Sequence, residues 1–428
     1  MIRDWADRKT RFFPMSTLLS INNYYYHRGG AETVFLEHNR MFERKGWRVT
    51  PFAMKHPRNL ATEWDRYFVE EIEFGQRYTP VQKLMRVPKV IYSFEARRKL
   101  DLLIRHTGPA IAHAHNIYHH ISPSILGLLK RRNVPVVLTL HDLKIACPAY
   151  SMLAPDGVCE RCRGGRIHNV VTNRCIKGSL ALSSVAFAEA ALHRVMGTYE
   201  KCVNRFVVPS RFYIGKLVEW GYPESRFKHV PNFVDPGNSR PAFTPGKSFL
   251  YVGRLSREKG LATLIRAAAE AGLPVSLVGN GPQLEELRSL AAELSADVEF
   301  RGFLGGEELQ DAIRAARAVV LPSEWYENAP MSVLEAYALG KPVIGARIGG
   351  IPELVRESET GFGFPSGDVA ALADLLRQVA DSPDSRIEEM GRAGRLWVEQ
   401  DFSAARYLER VVAIYEELGV KMHGSSVS

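Results

Sequence analysis

Short runs of apolar, β-prone residues alternate along the chain with longer stretches whose apolar positions recur every three or four residues. This rhythm predicts parallel strands joined by covering helices. In the first half, segments 17–21, 48–52, 110–114, 136–140 and 206–208 read as strands. The second half repeats the pattern at 249–252, 275–278, 298–300, 318–321 and 343–346. Between them the period lapses over residues 236–247 (PGNSRPAFTPGK), where Pro, Gly and Ser accumulate. That stretch predicts a linker between two α/β, Rossmann-like halves. The expected division is an N-terminal domain over 1–235, a C-terminal domain over 248–400, and a closing helix and tail over 401–428. Two such halves would face each other across a cleft, because open α/β sheets bind ligands beyond the C-terminal ends of their strands.

Composition narrows this picture. With 428 residues, 46% apolar and 24% charged, the chain suits two ordinary globular domains. No segment approaches the ~18 apolar residues of a membrane span. Residues 1–11 carry both signs of charge and too little apolar length for a signal peptide, which predicts a cytoplasmic protein. The net charge of +9 is unevenly spread: residues 1–235 hold 36 Lys and Arg against 20 Asp and Glu, and the remainder 20 against 27. Basic residues gather over 77–105 (Lys83, Arg86, Lys89, Arg97, Arg98, Lys99), interleaved with Tyr78, Val87, Ile91, Tyr92 and Phe94. The N-terminal half is therefore expected to face something anionic, such as lipid headgroups or a lipid pyrophosphate. That would place the protein peripherally at the inner face of a membrane. Nucleic acid answers to the same charge but is the weaker expectation.

The richest chemistry lies in residues 324–350, EWYENAPMSVLEAYALGKPVIGARIGG. Asn328 or Ala329 is expected at a helix start, Pro330 at the first helical position and Gly340 at the end. Glu327 then precedes the helix and Glu335 sits about one and a half turns inside it. The backbone N–H groups of Met331, Ser332 and Val333 would form an anion site between the two carboxylates. Carboxylates on either side of an anion site suit hydroxyls flanking a phosphate, as in a nucleotide-sugar. The bland alternative is one Glu favouring the helix dipole and another facing solvent. Val333, Leu334, Ala336 and Tyr337 around Glu335 leave little polar surface for it.

Glu327-x7-Glu335, followed by LEAYALGKPVI and GGIPELV, resembles the signature of the retaining GT-B glycosyltransferases of family 4, polysaccharide-biosynthesis type. The resemblance extends over residues 16–415 through RGGAE (28–32), TLHD (139–142), PS (209–210), PNFVD (231–235), VGRLSREKG (252–260) and VGNGP (278–282). It implies a GT-B fold and transfer of a sugar from a UDP- or GDP-sugar to an acceptor, with a lipid-linked glycan in exopolysaccharide, capsule or O-antigen synthesis as the expected acceptor. By the same resemblance, Arg254 and Lys259 clamp the diphosphate, Glu335 binds the ribose and Glu327 holds hydroxyls of the transferred sugar. The backbone of Asn328, Ala329, Pro330 and Met331 supports sugar and phosphate. Gly29 and Gly30 admit the diphosphate from the N-terminal side, and Phe303 and Leu304 present backbone to the nucleobase. His141, at the end of a strand, lies beside the reacting sugar, with Asp142 as a candidate orienting partner.

The chain contains no Asp-x-Asp, so Arg254, Lys259 and the helix N-terminus are expected to stabilise the leaving diphosphate in place of a divalent metal. Retention is the family's rule. With no nucleophilic carboxylate nominated, a front-face displacement is expected, in a cleft closed about the linker. Two other enzyme readings are a GT-B sugar-nucleotide epimerase and a transferase making a small glycoside. A third reading is a non-catalytic binding module.

Cys147, Cys159, Cys162 and Cys175 follow the pattern C-x11-C-x2-C-x12-C in a segment rich in turn residues, with Cys202 left outside. Such a segment has little core of its own, so a metal clip would order it, with structural zinc as the default and an iron–sulfur cluster as the alternative. The histidines of HAHNIYHH (His113, His115, His119, His120) read as strand-end and helix-start residues, with no ligand role.

Overall fold

The computed structural model describes residues 16–71 and 87–420. The expected basic positions Arg77, Lys83 and Arg86, and Tyr78 among them, lie outside the described residues. Two six-stranded sheets form the framework, and every pairing within them is parallel. The first has the order β2-β1-β3-β4-β7-β8, with β1 Thr17–Ile21, β2 Arg48–Phe52, β3 Ile111–Ala114, β4 Val136–Thr139, β7 Arg205–Val208 and β8 Phe227–His229. A small hairpin, β5 Leu153–Ala154 with β6 Gly157–Val158, stands apart from it. The second sheet runs β11-β10-β9-β12-β13-β14, with β9 Phe249–Val252, β10 Val275–Val278, β11 Val298–Gly302, β12 Ala318–Leu321, β13 Val343–Ala346 and β14 Gly361–Phe364.

The central strands β1, β3, β4, β12 and β13 are buried along their whole length, as expected of parallel strands covered on both faces. In each sheet the strand order reverses beside the first strand, between β1 and β3 and between β9 and β12. Ligand crevices form at such reversals. The segments leaving β1, β4, β9 and β12 carry Gly29 and Gly30, His141, Arg254 and Lys259, and Glu327 respectively.

Four helices bear on the site: α1 (Gly30–Arg44), α2 (Leu180–Met196), α3 (Met331–Ala338) and α4 (Ala404–Glu417). The final helix, α4, returns to the N-terminal half. Its Tyr407, Val411, Ile414 and Tyr415 join Leu18, Val34, Met41 and Phe42 in one buried cluster. The two chain crossings between the halves lie side by side, where the Val234 N–H donates to the Phe402 carbonyl at 3.0 Å. Residues 236–247, read as the linker, are fastened to the second half. Ala242 N–H donates to the Leu339 carbonyl at 3.0 Å, Gly246 N–H to Ala316 at 3.2 Å, and Lys341 Nζ to Thr244 at 2.7 Å. Any hinge is thereby shifted to the crossings at Val234 and Phe402.

Candidate active site

The turn after β9 is a 3-10 segment, Arg257–Lys259, ended by Gly260 at φ +67°. A Cβ on Gly260 would lie 1.9 Å from the Pro322 carbonyl oxygen, so only glycine brings this turn against the loop after β12. That approach sets Lys259 Nζ 2.6 Å from Glu327 Oε1, and 5.0 Å from the centre of the Trp325 ring. Ser323 Oγ donates to the same carboxylate oxygen at 2.7 Å. Burial pushes the Glu327 carboxyl upward, but the Lys259 charge and these hydrogen bonds outweigh it and hold the group below its ordinary range. Glu327 is thus a buried, ionised carboxylate. Gly350 N–H binds its backbone carbonyl at 2.8 Å and fixes the loop from the other side.

Helix α3 begins at Met331, with Pro330 as its N-cap in extended conformation rather than at the first helical position. The Val333 N–H is already bound to the Pro330 carbonyl at 3.3 Å, which narrows the expected anion site to Met331 and Ser332. Glu335 lies one turn into α3, and burial raises its carboxyl above the ordinary range. The two glutamates thus differ in character: Glu327 is charged and paired, whereas Glu335 is raised by burial and lines an open space. That space is a cavity of about 420 Å³ between α1, α3 and the helix Gly306–Arg314, with Thr33, Arg40, Asp235, Gln310 and Met331 among its lining residues. Its volume falls in the range of small-molecule sites.

The N-terminal half meets this site closely. A Cβ on Gly30 would lie 3.0 Å from Met331 Cγ, so the backbone at the start of α1 packs on the start of α3. Gly29 is the N-cap of α1 in extended backbone. Asn328 reaches across the cleft: its Nδ2 donates to the Leu140 carbonyl at 2.9 Å, and its Oδ1 accepts from Ser210 Oγ at 2.8 Å. The Ala329 carbonyl accepts from Asn232 at 2.8 Å. Arg254 is exposed on its turn. Phe303 projects into solvent at 77% exposure, whereas Leu304 packs against the second half's core.

His141 follows β4, and its Nε2 lies 2.8 Å from His115 Nδ1, with the two rings stacked. Burial lowers His141 to about 4, so the ring is neutral near pH 7. Its ring partner is therefore His115, not the expected Asp142. The Asp142 carboxylate instead accepts the Lys144 N–H at 2.9 Å and is pushed up to about 6 by burial. Among the described residues, His38, His113 and His115 bring ring nitrogens within 4.8 Å of one another. His113 is saturated by Tyr415 Oη at 2.6 Å and Thr139 Oγ1 at 2.7 Å, as befits a packing histidine. The part played by His115 could be sought in sequence only as a period-2 neighbour of His113 on a strand-end histidine run.

Cys147, Cys159, Cys162 and Cys175 line one cavity of about 10 Å³ and are free thiols. Burial, and then the fields of Cys147, Cys175 and Cys159, push the Cys162 thiol up to about 12.

The sequence model of Glycosyltransferase Family 4 matches residues 28–238, and that of Glycosyl transferases group 1 matches residues 238–397. Together they run across both sheets and the whole site. The chain belongs to glycosyltransferase family 4. A sulfoquinovosyl transferase of Arabidopsis thaliana is 37% identical over 163 residues, covering 36% of this chain and 31% of that one. A D-inositol 3-phosphate glycosyltransferase of Corynebacterium efficiens is 34% identical over 218 residues, covering 43% and 50%. The matches thus span about a third to a half of these relatives' lengths. The sucrose-phosphate synthase of Thermosynechococcus elongatus superposes with a TM-score of 0.70 at 20% identity, covering 94% of this chain and 99% of that one. HepE of Anabaena, solved in complex with UDP-glucose, gives 0.65 at 17% identity over 94% and 99%. These likenesses show the fold, which is the two-domain GT-B architecture.

Proposed function

We propose that this family-4 member transfers a hexose, with retention, from a UDP- or GDP-sugar to a glycan or lipid-linked acceptor of polysaccharide synthesis. The observation that carries the reading is the pair of unlike glutamates on either side of the α3 N-terminus, beneath the Gly30 backbone. Glu335, lining the 420 Å³ cavity, would bind the ribose, with the base towards Phe303 and Leu304. The diphosphate would lie at Met331 and Ser332, between Gly29 and Gly30 on one side and Arg254 and Lys259 on the other. Glu327, with Asn328 to Pro330, would hold the transferred sugar close to His141. In the reaction, the bond from the anomeric carbon to the β-phosphate oxygen breaks and the bond to the acceptor oxygen forms on the same face. The acceptor's proton passes to the departing phosphate oxygen. The surrounding cations and N–H groups stabilise the charge that develops there.

The acceptor would approach from the N-terminal half, whose excess of basic residues suits an anionic membrane surface or a lipid pyrophosphate. No described helix is long and apolar enough to cross a membrane. The zinc expected at the four cysteines would be structural and enters no step of this chemistry.

Thermal shift with a panel of nucleoside diphosphates tests the reading. One base should raise the melting temperature above the others. Failure of every nucleotide to bind would overturn the proposal. Incubation with nucleotide-sugar alone separates transfer from epimerisation, since only an epimerase completes its turnover without an acceptor.

A further inference from the structure

The cysteine segment lies between β4 and α2, and its order is unusual for a loop. Four non-glycine residues in it, Tyr150, Met152, Arg174 and Lys177, adopt positive φ. Such backbone persists where the surroundings over-determine it. All four cysteines line a single cavity of about 10 Å³, room for one small occupant.

The same segment touches the donor side of the cleft twice. Glu160, between Cys159 and Cys162, accepts the Tyr326 hydroxyl at 2.8 Å and pairs with Lys216 at 2.9 Å. Tyr326 is the residue before Glu327. It is held further by Tyr213, whose hydroxyl donates to the Tyr326 carbonyl at 2.9 Å, and by the Phe212 ring at 4.8 Å. Farther along, the Pro155 carbonyl accepts from Arg257 at 2.6 Å, two residues before Lys259. Both members of the Lys259–Glu327 pair therefore sit on segments gripped by the cysteine insertion of the opposite half.

We propose that Cys147, Cys159, Cys162 and Cys175 bind one zinc ion as four thiolates, and that the resulting knuckle is a latch across the cleft. Through Glu160–Tyr326 and Pro155–Arg257 it holds Glu327 and Lys259 in register for the donor's sugar. Binding releases the thiol protons and draws the sulfurs to about 2.3 Å from the ion in a tetrahedron. The role of the latch rests on the donor site described above; the metal site does not.

The experiment uses the full chain purified without added metal. Elemental analysis should find one equivalent of zinc, reduced in Cys159→Ser and Cys162→Ser. Less than a tenth of an equivalent in folded wild-type protein overturns the metal site. Tyr326→Phe leaves every cysteine in place, so it should keep its zinc. It should bind UDP-glucose or GDP-mannose, whichever the wild type prefers, roughly fivefold more weakly, the weight of one hydrogen bond. Its affinity for the bare nucleoside diphosphate should not change, because Glu327 faces the sugar. Equal nucleotide-sugar affinity in wild type, Tyr326→Phe and chelator-stripped protein overturns the latch. If the wild type binds no nucleotide at all, the donor-site reading fails instead, while the zinc measurement still decides the cluster.

Discussion

Lys259 and Glu327 are 68 residues apart in sequence, yet Lys259 Nζ lies 2.6 Å from Glu327 Oε1, and the carboxylate side chain is only 8% exposed. Two turns, one closed by Gly260 and one by Gly350, meet to make this pair. Its position between the α3 N-terminus and the Trp325 ring makes it the electrostatic centre of the donor side.

Removing one partner should therefore be worse than removing both charges. Lys259→Ala leaves a buried carboxylate uncompensated, at a cost of about 3–5 kcal/mol. Adding Glu327→Gln relieves the orphaned charge and should restore a good part of that stability. Urea unfolding of the single and double variants checks this. A single variant as stable as the double would mean that solvent already compensates Glu327.

The two glutamates should separate kinetically. Glu335, assigned to the ribose, contributes equally to ground and transition states, so Glu335→Ala should raise the donor KM about tenfold with little change in kcat. Glu327 is assigned to the reacting sugar, and Glu327→Ala should lower kcat by roughly 10²-fold through lost positioning. Steady-state kinetics at varied donor concentration distinguish them. Identical KM effects for both variants would contradict the division of roles.

Gly29 and Gly30 also make unequal demands. Gly29 has extended backbone at φ −166°, and its added Cβ would meet Glu32 at an ordinary 3.6 Å. Gly30 abuts Met331 at 3.0 Å. Gly29→Ala should be nearly silent, whereas Gly30→Val should cost about 1–3 kcal/mol of overpacking, felt as a weaker closed cleft. Donor affinity by calorimetry reads the difference. Equal loss at both positions would argue for backbone conformation rather than contact with Met331.

Much of this architecture was legible because parallel buried strands leave dense apolar runs. All ten expected strands appear within two residues of their expected limits. Two of the four edge strands escaped for physical reasons: Phe227–His229 is short and half polar, and Gly361–Phe364 alternates glycine with phenylalanine. Glu327 and Glu335 were legible through their spacing around a helix start. The contacts that join the halves were not. Asn328 to Leu140, Glu353 to the N–H groups of Arg211 and Phe212, and Glu160 to Tyr326 each pair residues more than a hundred positions apart. No local period encodes such pairings. The return of Ala404–Glu417 to the first half is hidden in the same way, since its amphipathic pattern says that a face is buried but not against which domain.

The last expectation concerns acid. His38 is lowered to about 3 and His120 and His141 to about 4, all from an ordinary value near 6.5, with burial as the leading cause. His113 and His115 are likewise lowered well below the ordinary value, by burial first and neighbouring imidazoles second. His38 and His113 meet the hydroxyls of Tyr407, Tyr415 and Thr139, and His120 meets the Tyr24 hydroxyl and the field of Arg28, none of which supplies a negative charge near neutrality. A lowered folded value means that the unfolded chain takes up protons first as pH drops. The stability these rings contribute is therefore complete above 6.5 and lost progressively towards 4. Asp142, raised to about 6, acts oppositely and gains as pH falls below that value, as do Glu32 and Glu335, which burial also raises, but these five histidines, joined by the lowered His119, His193 and His229, outnumber them. Urea unfolding free energy should thus decline continuously from pH 7.5 to 5 and respond weakly to salt, because the groups are buried. A profile flat over that interval would mean that the histidine cluster titrates as if exposed.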